Sequence, residues 1–382
     1  MNTKKNYLLT PGPTPLPPYV CEALSRPIIH HRTPQFQAVL KETEENLKYV
    51  FQTANDVFIF ASSGTGAMEA AVVNTISPND KVVVVEGGKF GERWTELASM
   101  VHAQIDVIAV DWGKAIDPKI IKKKLEMDDR IKAVFVTHCE TSTGVTTDIK
   151  ALGEIVRNTP ALLIVDAISS LGSLDLKTDK WSVDIVVSGS QKGLMLPPGL
   201  GFLSLSKKAE KAVASCTTPR YYFDLRSAKK ALEKTDTPFT PAIGLIIALN
   251  EVLNEMRREG LDVVFTRNKK LAEATRAAAQ AIGLELFSSS AVSDAVTSVK
   301  VPQGIDGEKL VKVMRDEYGV AMAGGQEHLK GKLLRIAHMG YIREDDLIVG
   351  ITTLEEVLSK MGYAFEKGKG VQAFKAALTQ ER

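Results

Sequence analysis

The chain has 382 residues, long enough for one large and one smaller domain with sizeable cores. Its apolar (44%) and charged (25%) fractions are those of an ordinary globular protein, and a net charge of +2 argues against general affinity for nucleic acid or an anionic membrane. Cys21, Cys139 and Cys216 share no paired or metal-like spacing, no apolar run reaches a membrane span of about 18 residues, and prolines interrupt the N-terminus; the expectation is a cytoplasmic protein without disulfides, metal site or membrane segment.

Residues 1–20 read as an N-terminal arm, basic at "KKNY" (Lys4 to Tyr7) and rich in proline in "TPGPTPLPP". From there short apolar runs alternate with helical patterns. "DVFIF" predicts a strand and "GAMEAAVVNTI" a helix; "DKVVVV" and "FGERWTELASMVHA" repeat the pair. "QIDVIAV", "IKAVFV", "ALLIVD" and "VDIVV" are further strands, with the helix "IKALGEIVRN" between two of them. A second basic stretch, "KAIDPKIIKKKLE", alternates with Ile and Leu at helical spacing and reads as a solvated helix face. The strand runs are nearly continuous in apolar residues, as expected for a mostly parallel sheet covered by helices on both faces. Residues 21–255 are therefore assigned to a large α/β domain. "TPAIGLIIALNEVLNEMRREG" reads as a long helix leaving it. "EATRAAAQAIG", "AVTSVKV", "GEKLVKVMRDEYG", "VAMAGG", "KLLRIAH" and "REDDLIVGITTLEEVLSKMG" then give a smaller α+β domain over 256–382. Its last residues predict a surface helix or a loose tail.

Polar signals cluster where the strands of the larger domain end: "SSGTG", "EGGKFG", "THCETSTG", "DAISS" and "SGSQK". Ligands of open parallel sheets bind at such ends. Ser63, Gly64 and Thr65 lead into a helix, whose free N–H groups suit an anion; a plain tight turn is the alternative. Asp166 ends a buried strand, either as a cap or as an acid holding a proton on a ring nitrogen. Lys192 follows a further strand; it is either an ordinary loop lysine or a partly buried amine with a lowered pKa, able to attack a carbonyl. Anion cradle, acid and lysine together match pyridoxal 5'-phosphate, whose ring is commonly stacked by an aromatic; Phe90 is available for that.

In these motifs, together with "PGPTPLP", "FGERW", "PPGLG" and "LRIAHMG", the chain resembles the class V aminotransferases. These are fold-type I pyridoxal-phosphate enzymes, and the chain is most similar to their alanine–glyoxylate and serine–glyoxylate (serine–pyruvate) branch. The resemblance implies that Lys192 bonds the cofactor aldehyde and Asp166 partners the pyridine nitrogen. It implies that Ser63, Gly64, Thr65 and Gln191 hold the phosphate, Phe90 stacks on the ring and Thr141 lies beside it. Arg335 would grip the substrate carboxylate and Gly12 would lie over the substrate. It further implies a homodimer with shared active sites, Thr240 of "TPFTPAI" completing the neighbour's phosphate site. Three positions depart from many or some members: Phe239 stands for Tyr, Thr65 for His and Phe90 for Trp. The implied reaction is ping-pong transfer of an amino group from alanine or serine to glyoxylate or another small 2-oxo acid. Transamination of an aminophosphonate or a larger amino acid is the alternative. Cysteine desulfurase chemistry fits less well, because Gln191 rather than His precedes the lysine and Cys216 follows too closely. A non-catalytic relative would be expected to have lost Lys192, Asp166 or Arg335. His138 and His338 lie inside motifs and are expected to orient backbone or packing; His30, His31 and Arg32 read as an entry loop or simple surface.

Overall fold

The computed structural model describes residues 6–288 and 290–379, which leaves both lysines of the basic stretch "KKNY" and the last three residues outside. A seven-stranded sheet organises the first two-thirds of the chain. Its strands are β1 (Asp56–Phe60), β2 (Lys81–Glu86), β3 (Gln104–Ala109), β4 (Ile131–Thr137), β5 (Leu162–Asp166), β6 (Ile185–Gly189) and β7 (Gly201–Leu205), in the order β1-β7-β6-β5-β4-β2-β3. All run in one direction except β7, which is antiparallel to both neighbours. The alternation of strand and helix in the sequence predicts six of them and misses β7. Residues 190–200, between β6 and β7, hold no helix, and without a crossover a strand can only return antiparallel.

The central strands are mostly β-branched and other apolar residues and are buried throughout, as a sheet covered on both faces requires. Helix α1 (Gly64–Thr75) is nearly engulfed, and its alanines allow close approach to β6 and β7. Helix α2 (Lys89–Met100) packs on the same face and buries Trp94 against Phe135. On the opposite face, Pro34–Phe51 packs against the long helix α3 (Ile243–Glu259). The position proposed from sequence as the domain limit, 255/256, falls inside α3; the backbone itself breaks at Gly260, and α4 (Leu261–Ala281) follows.

The C-terminal part is built on a three-stranded antiparallel sheet of β8 (Val296–Lys300), β9 (Ala323–Gly324) and β10 (Leu333–Ala337), with β10 in the middle. "VAMAGG", predicted as one strand, divides. Val320–Ala321 pairs with the N-terminal residues Tyr7–Leu8, and only Ala323–Gly324 joins β10. Leu9 is accordingly buried in the C-terminal core, so the arm is anchored to the C-terminal part of the chain. The tail forms the helix Lys369–Thr379. Among the described residues no helix is long and apolar enough to cross a membrane, and no group of three or more His, Cys, Asp or Glu is placed to hold a metal ion.

Candidate active site

The carboxyl ends of β4, β5 and β6 meet in one place. Asp166 is the last residue of β5, in register with Thr137 of β4 and Val187 of β6. Only 3% of its surface is exposed. One carboxyl oxygen accepts the Ile168 N–H at 2.8 Å and so closes the turn that follows β5; the other has no protein donor among the described residues. Burial with so little compensation pushes the carboxyl up to about 7. Lys192 lies just beyond β6. Its Nζ donates to the Pro11 carbonyl, and burial, against the attraction of Asp166, lowers the amine to about 8. The two groups are near enough to shift one another but form no ion pair.

The N-terminal arm closes over the lysine. Thr14 N–H donates to Gln191 O at 3.1 Å and Thr14 Oγ1 to Lys192 O at 2.9 Å. Gly12, at φ +105°, lies so close that a β-carbon there would stand 2.4 Å from the Lys192 side chain. Only glycine satisfies both conditions.

The start of α1 faces this cluster. Ser63 precedes the helix without capping it, and the N–H groups of Gly64 and Thr65 have no backbone partner among the described residues. Gly189 allows β6 to end against this turn: a β-carbon on it would stand 3.3 Å from Gly64 N and 3.1 Å from Gln191 Oε1. That Gln191 oxygen is buried without a partner. The two free N–H groups at the helix start, not that acceptor oxygen, are the features of a cradle for an anion.

Phe90 is held by a residue that sequence reasoning passed over. The buried carboxylate of Glu140 accepts from Phe90 N (3.1 Å), Gly91 N (3.0 Å), Ser142 N (3.2 Å) and Ser142 Oγ (2.5 Å). It caps the first turn of α2 and so fixes where the Phe90 ring stands. Burial still raises its pKa, although four donors oppose the shift. A lone acid within the hydroxyl-rich strand end "THCETST" was the available signal. Arg93 was likewise missed; it lies three residues after Phe90 and therefore on the same helix face.

Arg335 comes from the middle strand of the small sheet and reaches across. Its Nε donates to Gly324 O at 2.8 Å and Nη1 to Thr141 O at 2.9 Å, so Thr141 contacts it through the backbone. No carboxylate ion-pairs with this buried guanidinium among the described residues, and Nη2 has no protein partner there. Burial lowers its pKa to about 10, which leaves it charged near neutral pH.

The other residues lie apart. Thr240 is exposed on the loop before α3, beside the stacked rings of Phe239 and Tyr222. His338 is closed within the small sheet, Nε2 on Thr297 Oγ1 (3.0 Å) and Nδ1 on Asp294 O (2.9 Å). His138 is buried with Nδ1 unpartnered and feels Asp175 and Asp148 rather than the residues at the lysine.

The Aminotransferase class-V family profile matches residues 6–345. Among curated proteins, the chain is 43% identical to the soluble hydrogenase 42 kDa subunit of Anabaena cylindrica, over 97% of each chain. It is 38% identical to the L-aspartate–glyoxylate aminotransferase of Paracoccus denitrificans, over 97% of this chain and 96% of that one. Among solved structures, the ureidoglycine–glyoxylate aminotransferase of Bacillus subtilis superposes with a TM-score of 0.96 at 31% identity, over the full length of both.

Proposed function

The chain belongs to the class-V aminotransferase family, and on that premise we propose that it moves the amino group of alanine or serine to glyoxylate, with pyridoxal 5'-phosphate held at the carboxyl ends of β4, β5 and β6. Glyoxylate recurs as acceptor in the names of several relatives, with serine, aspartate, alanine or ureidoglycine as the partner. The observation that carries the reading is the buried Asp166 beside the half-buried Lys192, with no ion pair between them and with the Arg335 Nη2 left free among the described residues.

The residues fit the cofactor: an anion cradle at Ser63, Gly64, Thr65 and Gln191, an aromatic face at Phe90, a carboxyl at Asp166 and an amine at Lys192. When bound, the cofactor supplies an aldehyde and an electron-accepting ring. Lys192, lowered toward neutral pH, has an appreciable fraction of free amine to act as nucleophile and then to take the proton from the donor Cα at Nζ. Asp166 would hold a proton on the ring nitrogen; a cation beside it restores the charged carboxylate that burial alone disfavours. Arg335 would take the substrate carboxylate on its spare Nη2, the planar guanidinium suiting that group. The Pro11–Thr14 segment lies over the lysine and is tied to it by two hydrogen bonds.

A homodimer with Thr240 reaching the neighbour's phosphate is part of the same reading. It is supported by the exposure of Thr240 among surface aromatics, with Tyr221 81% exposed. The three unpaired cysteines favour a reducing, intracellular setting. The test is uptake of pyridoxal phosphate, borohydride reduction and peptide mapping, followed by single turnovers with alanine, serine, aspartate and ureidoglycine against glyoxylate. A label on Lys192 and amino transfer from alanine or serine are expected; a label on another lysine overturns the assignment. The name of the Anabaena relative, a hydrogenase subunit, favours a second reading, a subunit that binds other proteins. A colourless chain that takes up no cofactor yet co-purifies with hydrogenase activity would support that instead.

A further inference from the structure

We propose that Arg93 supplies the positive charge of the phosphate subsite, acting on the cofactor phosphate through the start of α1. The proposal rests on the cofactor reading above and assigns a residue that the motifs leave without a role.

A phosphate monoester carries roughly −1.5 to −2 at neutral pH. The free N–H groups at the start of α1 offer only about half a positive charge. Gln191 is neutral, and the Lys192 amine is committed to the aldehyde. A full cation is missing from the cradle as the sequence reads it.

Arg93 stands where that cation is needed. Its Nη1 donates to Thr65 Oγ1 at 3.3 Å, on the residue whose N–H is one of the two unpartnered donors of the turn. The Thr65 hydroxyl, accepting from Arg93, keeps its own proton to donate to an anion. The guanidinium carbon lies over the Phe90 ring, 5.1 Å from its centroid, which holds the side chain in the site. No carboxylate ion-pairs with Arg93 among the described residues, although its neighbours on α2, Lys89 and Glu92, pair with each other. A half-buried guanidinium left with one long bond to a hydroxyl and a contact to a ring has donors to spare, and the residue it touches, Thr65, carries one of the free N–H groups of the turn.

The experiment compares pyridoxal 5'-phosphate with pyridoxal, which lacks the phosphate, in equilibrium dialysis against the cofactor-free chain, the Arg93→Gln variant and the Arg93→Lys variant. Inorganic phosphate is added to each in a thermal melt. Arg93→Gln should bind pyridoxal phosphate about 10- to 100-fold more weakly, bind pyridoxal within about twofold of the parent, and lose the stabilisation by phosphate. Arg93→Lys should recover most of the affinity, and it carries the test if the Gln variant does not fold. Unchanged pyridoxal phosphate affinity in both variants overturns the proposal. So does equal weakening for both compounds, which would mean that Arg93 serves the ring through Phe90. Unchanged cofactor affinity with a raised KM for aspartate would place a substrate carboxylate at Arg93 and also overturn it. A parent chain that binds neither pyridoxal compound at Lys192 overturns the aminotransferase reading together with this one, whereas a parent that binds both while the variants do not discriminate overturns only the assignment of Arg93.

Discussion

The end of the large sheet and the middle of the small sheet bury polar groups equally well and treat them oppositely. At the small sheet, both ring nitrogens of His338 are bonded, to Thr297 and to the Asp294 carbonyl, and its backbone N–H donates to Ala295 O. Burial then pushes the imidazole down to about 3, so it stays neutral and closes a joint. At the large sheet, Asp166 has one protein donor and Lys192 donates to a single carbonyl. Arg335, rooted in the small sheet, leaves one nitrogen pointing out of it. Buried polar groups are normally satisfied because an orphan costs about 1–3 kcal/mol. Where the fold leaves several orphans together, a ligand is the missing partner; where it closes them, the role is structural.

Four substitutions probe this contrast. Lys192→Ala should abolish turnover while the chain still folds, because the lysine's one protein bond is to a carbonyl of the arm. Kinetics together with circular dichroism check it, and residual activity within tenfold of the parent would remove Lys192 from the chemistry. Asp166→Asn should retain the cofactor but react about 10²- to 10³-fold more slowly, since an amide cannot hold a ring proton by charge. The same variant has an opposite effect on the cofactor-free chain. The folded carboxyl titrates near 7 against 3.8 in its ordinary state, so its contribution to stability is full below about pH 4 and is lost as pH rises through 7. The Asn variant should therefore melt higher than the parent at pH 8. If it melts lower while turning over normally, Asp166 is only a cap.

Arg335→Lys should raise KM for donor and acceptor alike by roughly ten- to hundredfold while cofactor uptake persists. A drop in melting temperature with normal KM would instead return the residue to the structural class of His338. The smallest effect belongs to His338→Gln, with cofactor binding unchanged and about 1–2 kcal/mol lost at pH 8 from the broken bonds. Because the folded imidazole titrates near 3 against an ordinary 6.5, the parent loses stability as pH falls from 6.5 toward 3. The variant, which cannot ionise, should lose less over that window. Identical acid melting curves would mean that the joint does not report on His338.

The lysine, the acid and the anion turn were legible because each stands immediately after an apolar run, and a parallel sheet collects its strand ends at one edge. Glu140 and Arg93 were not, since their importance lies in partners distant in sequence: a helix start some fifty residues back for one, a threonine in another turn for the other.

The sequence by itself determined the sheet-and-helix alternation, the cluster at the strand ends and the family, because periodicity and local motifs are properties of neighbours along the chain. Only the tertiary structure decided that β7 runs against the rest, that the N-terminal arm closes over Lys192 while Leu9 enters the C-terminal core, and that Arg335 crosses to Thr141 with a nitrogen to spare. Each of these depends on which distant backbone carbonyl or apolar surface is left unpaired once the rest has folded, and no spacing along the chain encodes that.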